Sequence, residues 1–186
     1  MSTAHVLVAY CTRSGSTAGV AARIAAGLRD HGHRVDLRTV SDAGAPGGHD
    51  AVVLGSPVFD GRWMPEADAY AAEHAAELTL RAVWIFSVGT FGDTKRLRGP
   101  LARREPRNID DLRTAVRPRG YRVFAGAIDR DAWPRMARLV FHAIGGRFGD
   151  NRDWAEIDRW AAQIAEELDA GETRTERCAP RSTPTA

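Results

Sequence analysis

A chain of 186 residues with 44 % hydrophobic and 27 % charged residues has ordinary globular composition and is long enough to bury one core. A net charge of +2, with Lys95 the single lysine among 26 basic residues, demands no nucleic-acid partner. No run approaches the roughly 18 apolar residues of a spanning helix, and Met1 to Tyr10 lacks the basic and apolar parts of a signal peptide, so the expected location is the cytoplasm.

His5 to Tyr10 reads as a short buried strand, followed by turn residues Thr12 to Ser16. Val20, Ile24 and Leu28 then recur at helical spacing with Ala21 and Ala25 beside them. His31-Gly32-His33 ends that helix, the glycine supplying its left-handed turn. Arg34 to Val40 alternates apolar and polar residues, as an edge strand with one wet face does. After a Gly/Pro-rich loop, Ala51 to Leu54 is a second buried strand and Gly55 to Trp63 a loop. Met64 to Leu78 is an alanine-rich helix opened by Pro65, and Ala82 to Val88 is a further apolar strand.

Gly89 to Arg107 is long, basic and irregular, ahead of a short helix near Ile109 to Val116. Tyr121 to Ile128 is the fifth strand. Pro134 begins a helix with Met136, Leu139, Val140 and Ile144 on one face, closed by Gly145-Gly146. Asp153 starts the last helix in a capping-box pattern with Glu156, and Trp154, Ile157, Trp160, Ala161, Ile164 and Leu168 follow on one face. Residues 171–186 have no periodicity and read as a disordered tail behind a single domain of residues 1–170. Apolar strands alternating with amphipathic helices predict an α/β fold, a parallel sheet covered on both faces.

In such a sheet ligands collect where strand order reverses, at the carboxyl ends of the strands. The first such exit reads Thr12-Arg13-Ser14-Gly15-Ser16-Thr17, directly before a helix. Unpaired backbone amides, the positive end of the helix dipole and several hydroxyls suit a phosphate there, and Gly15 permits a tight turn. Taken alone, hydroxyls in such a turn are more often helix caps; the position after the first strand favours the phosphate.

Spacing excludes the alternatives. A dinucleotide fingerprint needs three glycines where only Gly15 and Gly19 stand, and a P-loop needs a lysine that is absent. A cysteine phosphatase would place an arginine six residues after Cys11, at the position held by Thr17, so Cys11 is expected to be a packing residue. A phospho-acceptor receiver would carry acidic residues at the end of the first strand. Cys11 and Cys178 lack CxxC spacing and exclude a disulfide framework or a cysteine zinc site. The six histidines, His5, His31, His33, His49, His74 and His142, show no metal or triad spacing in the sequence.

Thr12 to Thr17 resembles the T/S-x-S/T-G-x-T phosphate loop of flavodoxins, with Thr12, Ser14, Gly15, Ser16 and Thr17 on the motif and Arg13 in its variable slot. The resemblance implies a flavodoxin-like, doubly wound, five-stranded parallel sheet holding FMN. It also implies that Pro57, Val58, Phe59, Asp60 and Gly61 form a first flavin loop, and Val88, Gly89, Thr90, Phe91, Gly92 and Asp93 a second. Gly61 resembles the glycine whose peptide answers protonation of the flavin. Either Phe59 or Trp63 could lie against the ring or pack the loop onto the domain. The second loop departs from many electron carriers in offering Phe91 where they carry a stacking tyrosine.

Gly126 to Asp129, Gly145-Gly146 and Asp153-Trp154 resemble the menaquinone-dependent protoporphyrinogen oxidase branch of that family, although this chain is shorter between Gly146 and Trp154. The resemblance implies an FMN-dependent oxidoreductase acting on a porphyrinogen with a quinone acceptor. The alternatives are a one-electron carrier serving redox proteins and a relative that kept only the fold. The resemblance implies that carriers of this fold are usually strongly acidic, which a charge of +2 fits poorly. The arginine-rich loop (Lys95 to Arg98, Arg103, Arg104) and the Trp133 to Phe148 segment suit an acidic substrate or peripheral contact with anionic lipid, or are an ordinary solvated loop and a cover helix.

Overall fold

The computed structural model describes residues 3–89, 105–128 and 148–178. Elements follow in the order β1 (His5–Tyr10), α1 (Ser16–Asp30), β2 (Arg34–Thr39), β3 (Ala51–Phe59), β4 (Arg62–Trp63), α2 (Pro65–Glu73), α3 (Ala75–Leu78), β5 (Ala82–Gly89), α4 (Ile109–Val116), β6 (Gly120–Ala125), β7 (Ala127–Ile128), β8 (Gly149–Asp150) and α5 (Trp154–Cys178). Five strands pair in parallel in the order β2-β1-β3-β5-β6. Val8 lies between Leu37 and Val53, and Val53 lies beside Trp84. Strand order reverses between β1 and β3.

Alternate residues of the central strands feed two cores, because successive side chains point to opposite faces. Val6, Val8, Val53, Trp84 and Phe86 pack with Val20, Ile24 and Leu28 of α1 and Ile157, Trp160 and Ile164 of α5. Leu7, Val52, Leu54, Val83 and Ile85 pack with Ala67 and Tyr70 of α2, Leu78 of α3 and Leu112 of α4. The buried strands read as unbroken apolar runs for this reason. At the carboxyl end of α1, Gly32 has φ +90°. The His33 amide donates to Leu28 O at 3.2 Å and the Gly32 amide to Arg29 O at 2.9 Å, the paired bonds of a Schellman ending.

Several boundaries differ from the sequence expectation. Gly55 to Phe59 is strand, the continuation of β3, and not loop. Pairing with β1 stops at Gly55, so Pro57 has one free flank, where a missing N–H costs no ladder bond. Asp60 and Gly61, with φ +50° and +72°, make the two-residue turn that pairs Phe59 with Arg62; both positive angles are what a type I′ hairpin needs. The alanine-rich helix breaks at His74 into α2 and α3. The fifth strand ends at Ala125, and Ala127–Ile128 pairs antiparallel with Gly149–Asp150.

The last helix is capped as expected, the Glu156 amide donating to Asp153 Oδ1 at 3.0 Å. Trp154 is not on its buried face: it is 37 % exposed, with the Arg152 guanidinium 4.4 Å from its ring centroid. Helix α5 runs on to Cys178, past Gly171, where the sequence reading begins the tail. Extending an existing helix through glutamate and arginine costs little, and a stretch without an apolar stripe gives periodicity nothing to detect. The predicted Pro134 to Gly146 helix, most of the basic loop and residues 179–186 lie outside the described residues. No helix among the described residues is long and apolar enough to cross a membrane.

Gly55 lies where β3 passes the Phe86 ring, and a Cβ there would overlap ring atoms. Gly55→Ala is therefore expected to destabilise the fold by about 1–3 kcal/mol, outweighing alanine's lower conformational cost; chemical denaturation reads the difference.

Candidate functional site

The β1 exit is built by short-range bonds. The Cys11 amide donates to Gly55 O at 2.9 Å, holding the start of the turn to β3. Burial pushes the Cys11 thiol upward, with Glu66 adding to the effect, and the side chain packs on the α2–α4 core; it is a packing residue, as expected. Thr12 Oγ1 then accepts from the Gly15 amide at 3.1 Å. Gly15 takes φ +82° and ψ −13° as the residue before α1. That left-handed conformation, and not crowding, is what requires glycine, since nothing lies within 4 Å of a Cβ placed there.

No side chain caps α1, and its first turn holds no acidic residue. The other described α-helices all have an acid in the first turn: Glu66 and Asp68 in α2, Glu77 in α3, Asp110 and Asp111 in α4, and Glu156 in α5. The hydroxyls of this turn are thus not consumed as helix caps. Ser16 Oγ accepts from the Ala127 amide at 2.8 Å, which leaves its proton available to donate. Thr17 is buried, 1 % exposed, while Arg13 and Ser14 are exposed.

Three chain segments meet at this edge. Arg13 sets its guanidinium 4.1 Å over the Phe59 ring centroid, joining the β1 exit to the β3–β4 hairpin. Through Ser16 and Ala127 the same turn reaches the end of β6, where the Gly126 amide donates to Gly89 O at 2.9 Å. A Cβ on Gly126 would crowd Ser16 Oγ, Val88 Cγ1 and Gly89 O, so this approach depends on glycine. Val88 is core, 4 % exposed, and Gly89 closes β5. Thr90, Phe91, Gly92 and Asp93 lie outside the described residues.

The hairpin distinguishes its two aromatics. Trp63 is 3 % exposed and Phe59 is 55 % exposed. Trp63 Nε1 donates to Ser87 Oγ at 2.7 Å, and Ser87 also meets the Tyr121 hydroxyl at 2.9 Å. The Met64 amide donates to Ser56 Oγ at 3.0 Å, and the Trp63 amide to Asn108 Oδ1 at 3.1 Å. Asn108 also donates to the Asp68 carboxylate. Trp63 therefore anchors the hairpin, leaving Phe59 as the aromatic that faces outward with Pro57, Val58 and Asp60 around it. Gly61 O accepts from the Arg107 amide at 2.8 Å, so rotating the Gly61–Arg62 peptide must break that bond.

Sequence reasoning gave Asn108 and Tyr121 no role and met Ser56 and Ser87 only as members of the two flavin loops, not as buried anchors. The available signal was two hydroxyl residues inside apolar strands, since buried hydroxyls require partners. Neutral donors at an uncompensated helix end, beside an exposed aromatic, form a place for a phosphate monoester carrying a flat ring.

This sheet order and this open turn define a flavodoxin-type α/β domain. Residues 7–153 match the family model described as the flavodoxin domain, and the chain belongs to that family. It is 24 % identical over 173 residues to protoporphyrinogen IX dehydrogenase [quinone] of Escherichia coli strain K12, covering 86 % of this chain and 93 % of that enzyme. Its fold is similar to a flavodoxin from the domain Archaea, with a TM-score of 0.61, 16 % identity, and 89 % of this chain and 99 % of that one covered. Oxidised flavodoxin 2 from Bacillus cereus gives a TM-score of 0.55 at 20 % identity, over 88 % and 99 %. Membership implies flavin mononucleotide as the cofactor, and an uncapped, acid-free helix start behind a left-handed glycine fits its phosphate.

The buried Tyr70 and half-buried Tyr121 phenols respond to pH. Burial pushes Tyr121 from 10.0 to about 12 against the opposing effect of its Ser87 bond. Burial likewise pushes Tyr70 to about 12, its hydroxyl donating to Gly44 O at 2.9 Å. Folded values above the unfolded ones mean stability that is complete below pH 10 and is lost as pH rises through about 12. The free energy of unfolding is expected to fall across that window, and Tyr121→Phe to flatten part of the fall, read by denaturation at successive pH values alongside tyrosinate absorbance.

Proposed function

We propose that this protein is an FMN-dependent oxidoreductase that dehydrogenates protoporphyrinogen IX or a related substrate and passes the electrons to a quinone. The supporting observation is the correspondence with the quinone-linked dehydrogenase along 86 % of this chain and 93 % of that enzyme. The net charge of +2 agrees with an acidic substrate better than with a carrier that docks on basic reductases.

In this reading the amides of Ser16 and Thr17 and the hydroxyls of Thr12, Ser14, Ser16 and Thr17 hold the phosphate, with Gly15 giving them room and Arg13 beside them. Bound FMN supplies the reversible uptake of electrons and protons, and the protein sets its position and access. Pro57 to Gly61, Val88 and Gly89 flank the ring, with Thr90 to Asp93 continuing the second loop. Phe59 offers the aromatic face, and the Trp63–Ser87–Tyr121 bonds keep the hairpin beneath it from shifting. Each cycle removes two electrons and two protons from the substrate and converts one quinone to its quinol. No side chain is assigned as acid or base; solvent carries the protons. The arginine-rich loop serves the substrate's carboxylates or a membrane surface where the quinone resides.

Turnover under anaerobic conditions with a porphyrinogen and a menaquinone analogue tests the proposal. The expected result is porphyrin fluorescence matched by quinol formation. Thr17→Glu should lose flavin and turnover together, because a carboxylate beside the phosphate costs on the order of 100-fold or more in affinity. A flavin-loaded protein that leaves the porphyrinogen untouched, yet shuttles electrons between redox proteins, would overturn the proposal in favour of a carrier.

A further inference from the structure

At the opposite end of the sheet from the flavin turn, three side chains converge that the redox reading does not use. His5 opens β1, Asp36 lies in β2, and His49 precedes β3. His5 Nε2 stands 3.1 Å from Asp36 Oδ2, and His49 Nε2 stands 3.2 Å from the same oxygen. One ligand atom from each residue falls within 4.8 Å of the other two. Five residues of extended strand, about 17 Å, separate His5 from the end of β1.

Hydrogen-bond direction shows what this cluster lacks. His5 Nδ1 lies 3.1 Å from Gly48 O; a carbonyl only accepts, so Nδ1 carries the proton. In the tautomer with its proton on Nδ1, His5 offers a lone pair at Nε2, 3.1 Å from Asp36 Oδ2. An Asp36 carboxylate offers only acceptor atoms to the same space, and His49 Nε2 stands 3.2 Å from the same oxygen. A cation placed among the three residues would take up these lone pairs together. His49 Nδ1, moreover, is buried with no hydrogen-bond partner.

We propose that His5, Asp36 and His49 bind a divalent cation of the zinc class, a structural clasp that joins β1, β2 and the loop entering β3. A tetrahedral zinc with ligands at about 2.0–2.1 Å holds its donor atoms about 3.3 Å apart, close to the two nitrogen–oxygen separations already present. Imidazole nitrogens and a carboxylate oxygen are ligands that zinc accepts. His5 also shows the second contact of a metal-bound histidine, its far nitrogen given to a backbone carbonyl.

The scaffold holds two of the ligands before any ion arrives. The His5 amide donates to Asp50 Oδ2 and the Asp50 amide to His5 O, both at 2.8 Å. Arg81 clasps the loop through His49 O and Gly47 O, each at 2.9 Å. The three side chains remain 23 %, 33 % and 11 % exposed, so ion and water can reach the site, and water completes the coordination.

The test is zinc titration of the flavin-loaded protein, followed by calorimetry and thermal unfolding. One equivalent should bind, raising Tm by about 5–10 °C at a hundredfold excess over Kd. His49→Gln and Asp36→Asn should lose that rise while keeping flavin, whereas His31→Gln, a surface histidine outside the cluster, should retain it. For the unaltered protein, cobalt(II) should give the intense visible bands of a tetrahedral site, a readout independent of any variant's folding. Absence of zinc binding, an octahedral cobalt spectrum, or an undiminished shift in His49→Gln would each overturn the proposal and leave only a hydrogen-bonded histidine–aspartate cluster. None of these outcomes bears on whether FMN binds at the other edge.

Discussion

The amino terminus of α1 is left electrically unfinished by its own sequence. Gly15 turns the chain into the helix through a left-handed conformation and no side chain caps it; the helix also has no acid in its first turn, whereas each other described α-helix carries one there. Backbone amides at such an end retain a positive potential equivalent to about half a charge. In the proposed reading the flavin phosphate completes what a capping aspartate would otherwise complete, as Asp153 does for α5. The site follows from that omission together with its placement, because strand order reverses between β1 and β3 beside the same turn.

Rigidity of the surrounding edge comes from a few buried polar contacts. Ser87 takes the Trp63 N–H and meets the Tyr121 hydroxyl, which ties the hairpin to β5 and β6. Ser16 and Gly126 bring the end of β6 against the β1 exit. Satisfied polar groups inside an apolar core specify one arrangement, since a displaced partner leaves a buried donor unpaired. The exposed aromatic, Phe59, projects from a hairpin held from beneath, and Arg13 lies across it.

Much of this was legible in the amino-acid order. Val20, Ile24 and Leu28 marked α1, Ile109 to Val116 marked α4, and the hydroxyl-rich turn after the first strand marked the loop by its position and residue types. The hairpin was less legible: Gly55-Ser56-Pro57 reads as loop, and the Asp60-Gly61 turn signal that follows it went unused. Choosing between Phe59 and Trp63 needed the third dimension, because burial of the indole depends on Ser87, 24 residues away. The break at Gly126 likewise reflects contact with Ser16, which no local pattern carries. The His5–Asp36–His49 cluster has no readable spacing at all; parallel pairing of β1 with both neighbours assembles it.

The most direct measurement compares FMN with riboflavin, which shares the ring and lacks the phosphate. FMN should bind on the order of 100-fold more tightly, because charge-assisted hydrogen bonds contribute about 1.5–3 kcal/mol each, and should shift the NMR amide signals of Gly15, Ser16 and Thr17 as it does so. Equal affinity for the two flavins, with those three amides unmoved, would contradict a phosphate held at the start of α1.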